Sequence, residues 1–261
     1  MTSVETYFLI NLLIFFFTTV LAVGGVGAAF IDTPLLIYFG FDIVFVTALG
    51  LLLNVFSTST ASIRHYRQKA IEYDVAVPII ISSIFTAPIG AYFVNLIDKN
   101  ELKLIFAITL LLIGLTILLN LLKTKKNRES IEKIELIPRN KRIVISVLLG
   151  ALVGFITGLL GIGGGSIILP FLLFFGLETR KAAGTTSFIV VFSSLIGLIS
   201  KITLTTFTID FFLLITSVFS TILGAALGSY LMHFRLNKNQ IKLIIVLFLE
   251  LVAIKMILDF L

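Results

Sequence analysis

Apolar residues fill this chain in long runs separated by short polar intervals. Of six runs, Ile43–Ile63, Val75–Leu96, Leu102–Leu122, Ala182–Ser200, Ile209–Leu231 and Ile241–Phe260, the first five carry at most one charged residue each and the last carries four. Each is near the ~20 helical residues needed to cross a hydrocarbon core of ~30 Å, so the pattern predicts six membrane-spanning helices. Two further apolar stretches are broken by glycine. In the first, Gly24-Gly25-Val26-Gly27 leads to Pro34 and Gly40; in the second, Gly161-Ile162-Gly163-Gly164-Gly165 leads to Pro170 and Gly176. As one straight helix, Tyr7 to Phe39 would extend ~50 Å, too long for an ordinary crossing. The roughly dozen residues after the glycines reach only ~18 Å and cannot cross alone. Each broken stretch is therefore either one kinked crossing or a re-entrant hairpin that turns at its glycines.

The breaks repeat at one offset. Pro34 and Pro170, like Gly40 and Gly176, lie 136 residues apart, and Tyr92 matches Tyr230 at 138. Asn100 and Lys103-Leu104 match Asn239 and Lys242-Leu243 at 139. This reads as an internal duplication: a first membrane repeat over residues 1–122, a basic connector over 123–142, and a second repeat over 143–261. Each repeat supplies one broken element and three plain spans, an all-α polytopic fold.

Composition agrees, with 58% hydrophobic residues, 13% charged and a mean hydropathy of +1.14, against about a quarter charged in soluble domains. The formal charge of +6 does not point to nucleic acid. Eight of the twenty Lys and Arg fall in Lys123–Arg142 beside three glutamates, with no aromatic-interleaved binding surface. By the positive-inside rule that connector is cytoplasmic. The rule also separates the two readings of the broken elements. Single crossings divide the Lys and Arg, all but Lys255 within the last span, twelve to seven between the faces. Hairpins divide them sixteen to three, with only Lys99, Lys103 and Lys201 on the lesser face. The hairpin reading is preferred. A hairpin plus three spans is an odd number of crossings, so the second repeat is inverted, both termini lie outside, and the glycine tips approach the midplane from opposite faces. Glu5 precedes the first apolar run with no basic residue, which argues against a cleaved signal peptide. The absence of cysteine removes disulfide and thiolate chemistry.

A helix that starts at a buried break presents unpaired N–H groups and the positive end of its dipole. Two such ends, at Gly24, Gly25 and Gly27 and at Gly161, Gly163, Gly164 and Gly165, would hold a small anion without a buried cation. The plainer reading is that the glycines only allow helices to approach closely. Two breaks at matched positions, each with its proline (Pro34, Pro170), weigh against it. Asn54, Thr58, Thr185 and Ser187 are the best polar candidates to face the tips, although membrane Ser and Thr more often bond their own backbone. Asp32, in apolar sequence, is a proton-coupling candidate; the plainer readings are that the short arm lies near the surface or that Asp32 caps a helix turn, and the second repeat has no carboxylate there. His65 and His233 end spans and read as interfacial. No metal-ligand cluster, nucleophile–base pair or Gly-Lys-Ser/Thr phosphate loop is present in the sequence, so no metal, cofactor or enzyme activity is expected.

Gly158-Leu159-Leu160-Gly161-Ile162-Gly163-Gly164-Gly165, Pro170, Gly176 and Ala182-Ala183-Gly184-Thr185-Thr186-Ser187 resemble the TauE/SafE family of sulfite and organosulfonate exporters. Gly24-Gly25-Val26-Gly27, Pro34, Gly40 and Thr47-Ala48 match it more loosely, with Leu49-Gly50-Leu51 where the second copy has Thr-Thr-Ser. The resemblance implies export of a small sulfur-containing anion. The expectation is a secondary transporter in the cell membrane, working by alternating access on a small anionic solute, with lipid as its surroundings and a homo-oligomer open to it. Rival readings are a passive anion channel and a non-transporting accessory subunit of sulfur metabolism.

Overall fold

A computed structural model describes residues 4–22, 27–123, 138–231 and 238–259. These form ten helices: α1 (Val4–Ala22), α2 (Ala29–Tyr38), α3 (Ile43–Arg67), α4 (Tyr73–Phe93), α5 (Lys99–Lys123), α6 (Arg139–Leu160), α7 (Gly165–Phe174), α8 (Thr179–Leu204), α9 (Phe211–Leu231) and α10 (Lys238–Leu258). Six of them, α1, α3, α4, α6, α8 and α9, are long and apolar enough to cross a membrane, judged on the described residues. The predicted spans coincide with α3, α4, α5, α8, α9 and α10 to within a few residues at each end.

Helices α3 and α8 form the centre and run antiparallel. Thr47 of α3 meets Lys201 of α8, Asn54 meets Ser194, and His65 meets Gly184. Outside them α4 packs on α6, α1 on α9 and α5 on α10. The α4–α6 contact is the closest because α6 carries Gly150, Gly154 and Gly158 at four-residue spacing. Any side chain there would strike Ile79, Ser83 or Ala87 of α4, the small-residue packing that lets membrane helices approach. Large apolar side chains such as Phe8, Phe16, Phe85, Leu148, Phe211 and Phe219 point outward and are exposed, as a lipid-facing belt requires.

Both broken stretches return to the end from which they start. Tyr7, near the start of α1, stacks on Phe41 just beyond α2, with ring centroids 6.2 Å apart. Arg142 and Ser146 at the start of α6 share one small cavity with Phe171, Phe175 and Leu177 at the end of α7. The two hairpins open toward opposite ends of the bundle. One end gathers Tyr7 with Asp210, Asp42 with Lys99, and Asn95 with the Leu204 carbonyl. The other gathers Asp74 with Arg142, Glu72 with Lys181, and Gln68 with Arg180. Arg180 and Lys181 thus stand beside the loop after α3. Lys201 was counted above as a loop charge, but it lies within α8 and is fully buried.

Candidate functional site

The two tips meet halfway along the central helices, at Asn54. Gly24 and Gly25 lie outside the described residues. Gly27 has φ +96°, and a methyl group on it would collide with the Asn54 Oδ1. Across the seam Gly163 has φ +78°, and a methyl group there would collide with the Asn54 Nδ2. L-residues with side chains rarely adopt such φ values, and the amide leaves no room for a Cβ. The carboxamide is wedged between the turns. Its Oδ1 accepts from the Ala29 N–H at 3.1 Å, and its Nδ2 donates to the Ser194 Oγ at 3.2 Å and the Ile162 carbonyl at 3.5 Å.

The helix starts at the two tips differ. At α2, Asn54 takes the Ala29 N–H and the Ser57 Oγ takes the Ala28 N–H at 3.1 Å, so the orphan donors of its first turn are largely occupied. At α7, Gly164 (φ +67°) turns the chain and the Ile167 and Ile168 N–H groups bond its carbonyl. The Gly165 and Ser166 N–H groups have no acceptor among the described residues. Two hydroxyls of this region are buried and without a described partner: Thr157 Oγ1, which a methyl group on Gly164 would approach to 3.3 Å, and Ser166 Oγ in the first turn of α7. Unpaired buried donors are costly. A helix N-terminus ringed by free N–H and O–H donors is suited to an anion.

The other candidates fall in several places. Thr58 donates to its own helix, at the Asn54 carbonyl, 2.6 Å away, and Ser187 does the same to Ala183 at 2.8 Å. Thr185 sits at the far end of α8, where its hydroxyl accepts from the Glu72 N–H at 2.9 Å; it is not brought to the tips. Gly161, the left-handed C-cap of α6 (φ +70°), packs on Thr47. Pro34 and Pro170 lie inside α2 and α7. Asp32 is fully buried in the first turn of α2, which removes the surface reading. Its Oδ2 accepts from Thr18 at 3.3 Å and its Oδ1 has no partner among the described residues. His65 is buried against α8, while His233 lies outside the described residues. Sequence reasoning did not single out Thr157, Ser166 or Lys201. The first two are ordinary hydroxyls in apolar runs, and Lys201 follows Ser200 at the polar edge of one. No group able to hold a metal ion occurs among the described residues.

The family described as "Sulfite exporter TauE/SafE" matches residues 10–256. A "Probable membrane transporter protein" of Methanocaldococcus jannaschii is 33% identical over 189 residues, covering 70% of this chain and 67% of its own. Two proteins of the same description from Bacillus subtilis are 26% identical over 215 residues and 27% over 199, covering 79% and 70% of this chain and 83% and 73% of theirs. No solved structure matches.

Proposed function

The chain belongs to the TauE/SafE family of membrane transporters, and from that premise we propose that it is a secondary transporter exporting a small sulfur-containing anion, sulfite or an organosulfonate. The observation that carries this reading is the start of α7. Two N–H groups without an acceptor among the described residues open α7, and the unpartnered hydroxyls of Thr157 and Ser166 belong to the same turn and the helix beside it. The glycine tips meet the middle of α3 and α8 close by. An anion accepts from every one of these donors without a proton transfer. A neutral solute gains much less from the helix dipole than an anion does.

In this reading residues 1–122 and 143–261 are inverted repeats, and the contacts that open the two hairpins toward opposite ends support it. The transport path follows the α3–α8 seam through Asn54, Gly27, Gly161, Gly163, Gly164 and Gly165. The connector is cytoplasmic, the termini lie outside, and the repeats move against each other in alternating access. Asp32 is the proton-coupling group: a fully buried carboxyl whose Oδ1 has no partner among the described residues.

Binding to the purified protein tests the anion reading. Sulfite, thiosulfate, sulfoacetate, taurine and simple carboxylates are compared with uncharged analogues by calorimetry. The expected result is saturable binding of one or more anions and none of the uncharged compounds. Binding of neutral solutes alone would sink the dipole-site argument.

A further inference from the structure

Lys201 is a fully buried amine in the membrane-spanning part of α8, and no carboxylate forms an ion pair with it among the described residues. Its Nζ donates to the Thr47 Oγ1 at 2.9 Å and the Leu159 carbonyl at 3.2 Å. The carbonyl is one of the last, otherwise unpaired acceptors of α6. Neutral dipoles steady an ammonium but do not cancel its charge, and an uncancelled charge at membrane depth is expensive. Such residues face cavities and mark solute pathways.

Two features tie this amine to the path. First, Lys201 and Ser194 are seven residues apart on one face of α8, as Thr47 and Asn54 are on α3, so Lys201 lies ~10 Å along the seam from the tips. It stands on the side where Asp42 and Lys99 end the bundle. Second, the neighbouring residues Ala48, Leu198, Ile202 and Thr205 line a cavity of about 360 Å³ that Lys201 adjoins without lining, and its remaining wall is almost wholly apolar, including Phe45 and Leu214. That volume is within the range of small-molecule sites.

We propose that Lys201 is a second anion-binding residue of the transport path, holding the solute's charged head while an apolar body occupies the neighbouring cavity. The ligand class is a short-chain organic monoanion, with a sulfonate or carboxylate head accepted alike. Under the outward orientation above, this is the last station before release. The inference rests on the anion reading, but it assigns a residue which that reading does not use.

Calorimetric titration with a series of alkanesulfonates and alkanecarboxylates of one to six carbons, plus sulfite, tests it on the purified full-length protein. In the unaltered protein, affinity rises about three- to fourfold per methylene until the cavity is filled. Lys201→Gln keeps a donor for Thr47 and Leu159 while removing the charge, and loses at least tenfold for every anion while retaining the chain-length trend. Lys201→Arg stays within about threefold of the original. Thermal unfolding confirms that both variants are folded. Unchanged affinity in Lys201→Gln would overturn the proposal while leaving the anion reading intact. Affinity in the unaltered protein that does not change with chain length would overturn it too, marking the cavity as a lipid groove. A protein that binds no anion at all would refute the reading beneath it instead.

Discussion

Asn54 and Gly163 are coupled by space rather than by a bond. A methyl group on Gly163 collides with the carboxamide and forces an L-residue into φ +78°. Gly40, at φ +85°, has nothing within 4 Å of the same methyl position. Gly40→Ala therefore carries only the backbone cost, about 1–2 kcal/mol. Gly163→Ala carries that and the collision, and is expected to lower the thermal unfolding temperature in detergent much further. Shortening the partner should relieve the collision. The double variant Gly163→Ala with Asn54→Ala should be more stable than the sum of the single effects allows, and strict additivity would contradict the wedge. At Thr157 the free hydroxyl is a donor awaiting an acceptor. Thr157→Val keeps the shape and removes the donor, so anion affinity should fall about tenfold or more, the usual worth of a hydrogen bond to a charged group. Stability should hold or rise slightly. A loss of stability with unchanged affinity would mark Thr157 as structural.

The ends of the helices are set by charge and capping. Asp42 precedes α3 and accepts from the Val44 and Phe45 N–H groups at 3.0 and 3.2 Å, while Lys99 at the start of α5 binds its other oxygen. Burial raises its carboxyl, but the Lys99 ammonium and the two N–H groups together hold it below the usual carboxylate range. A depressed carboxylate stabilises the fold above its unfolded value, about 3.9, and that contribution is lost as pH falls through the lower folded value. Asp42→Ala should cost about 1 kcal/mol near neutral pH. The gap between variant and original should close as pH drops below about 4, and a gap constant down to pH 2 would contradict the capping role. At this scale much was legible in the sequence. Twenty-residue apolar runs have one solution in a bilayer, so the boundaries of α3, α4 and α8 were fixed by hydropathy, and glycine runs marked the hairpin turns. Side-chain direction was not legible. Thr185 and Ser187 looked like site residues because a hydroxyl cluster follows the glycines, yet the antiparallel run of α8 carries them to its far end, away from Ser194. Lys201 looked like a loop charge because polar residues surround it. Only the packing of α6 and α3 against α8 encloses its amine.

As a whole, the bundle is organised around one seam, with the tips pressed against its middle and oppositely charged residues tying its ends. In the proposed alternating access the hairpins shift against α3 and α8. The measurement that bears most directly on the central claim is flux through purified protein in liposomes loaded with radiolabelled sulfite or an alkanesulfonate. A carrier predicts saturable efflux, accelerated by unlabelled anion on the opposite side, and slow enough that no ionic current is resolved. A large current without counter-transport, or anion flux no greater than in empty liposomes, would contradict it.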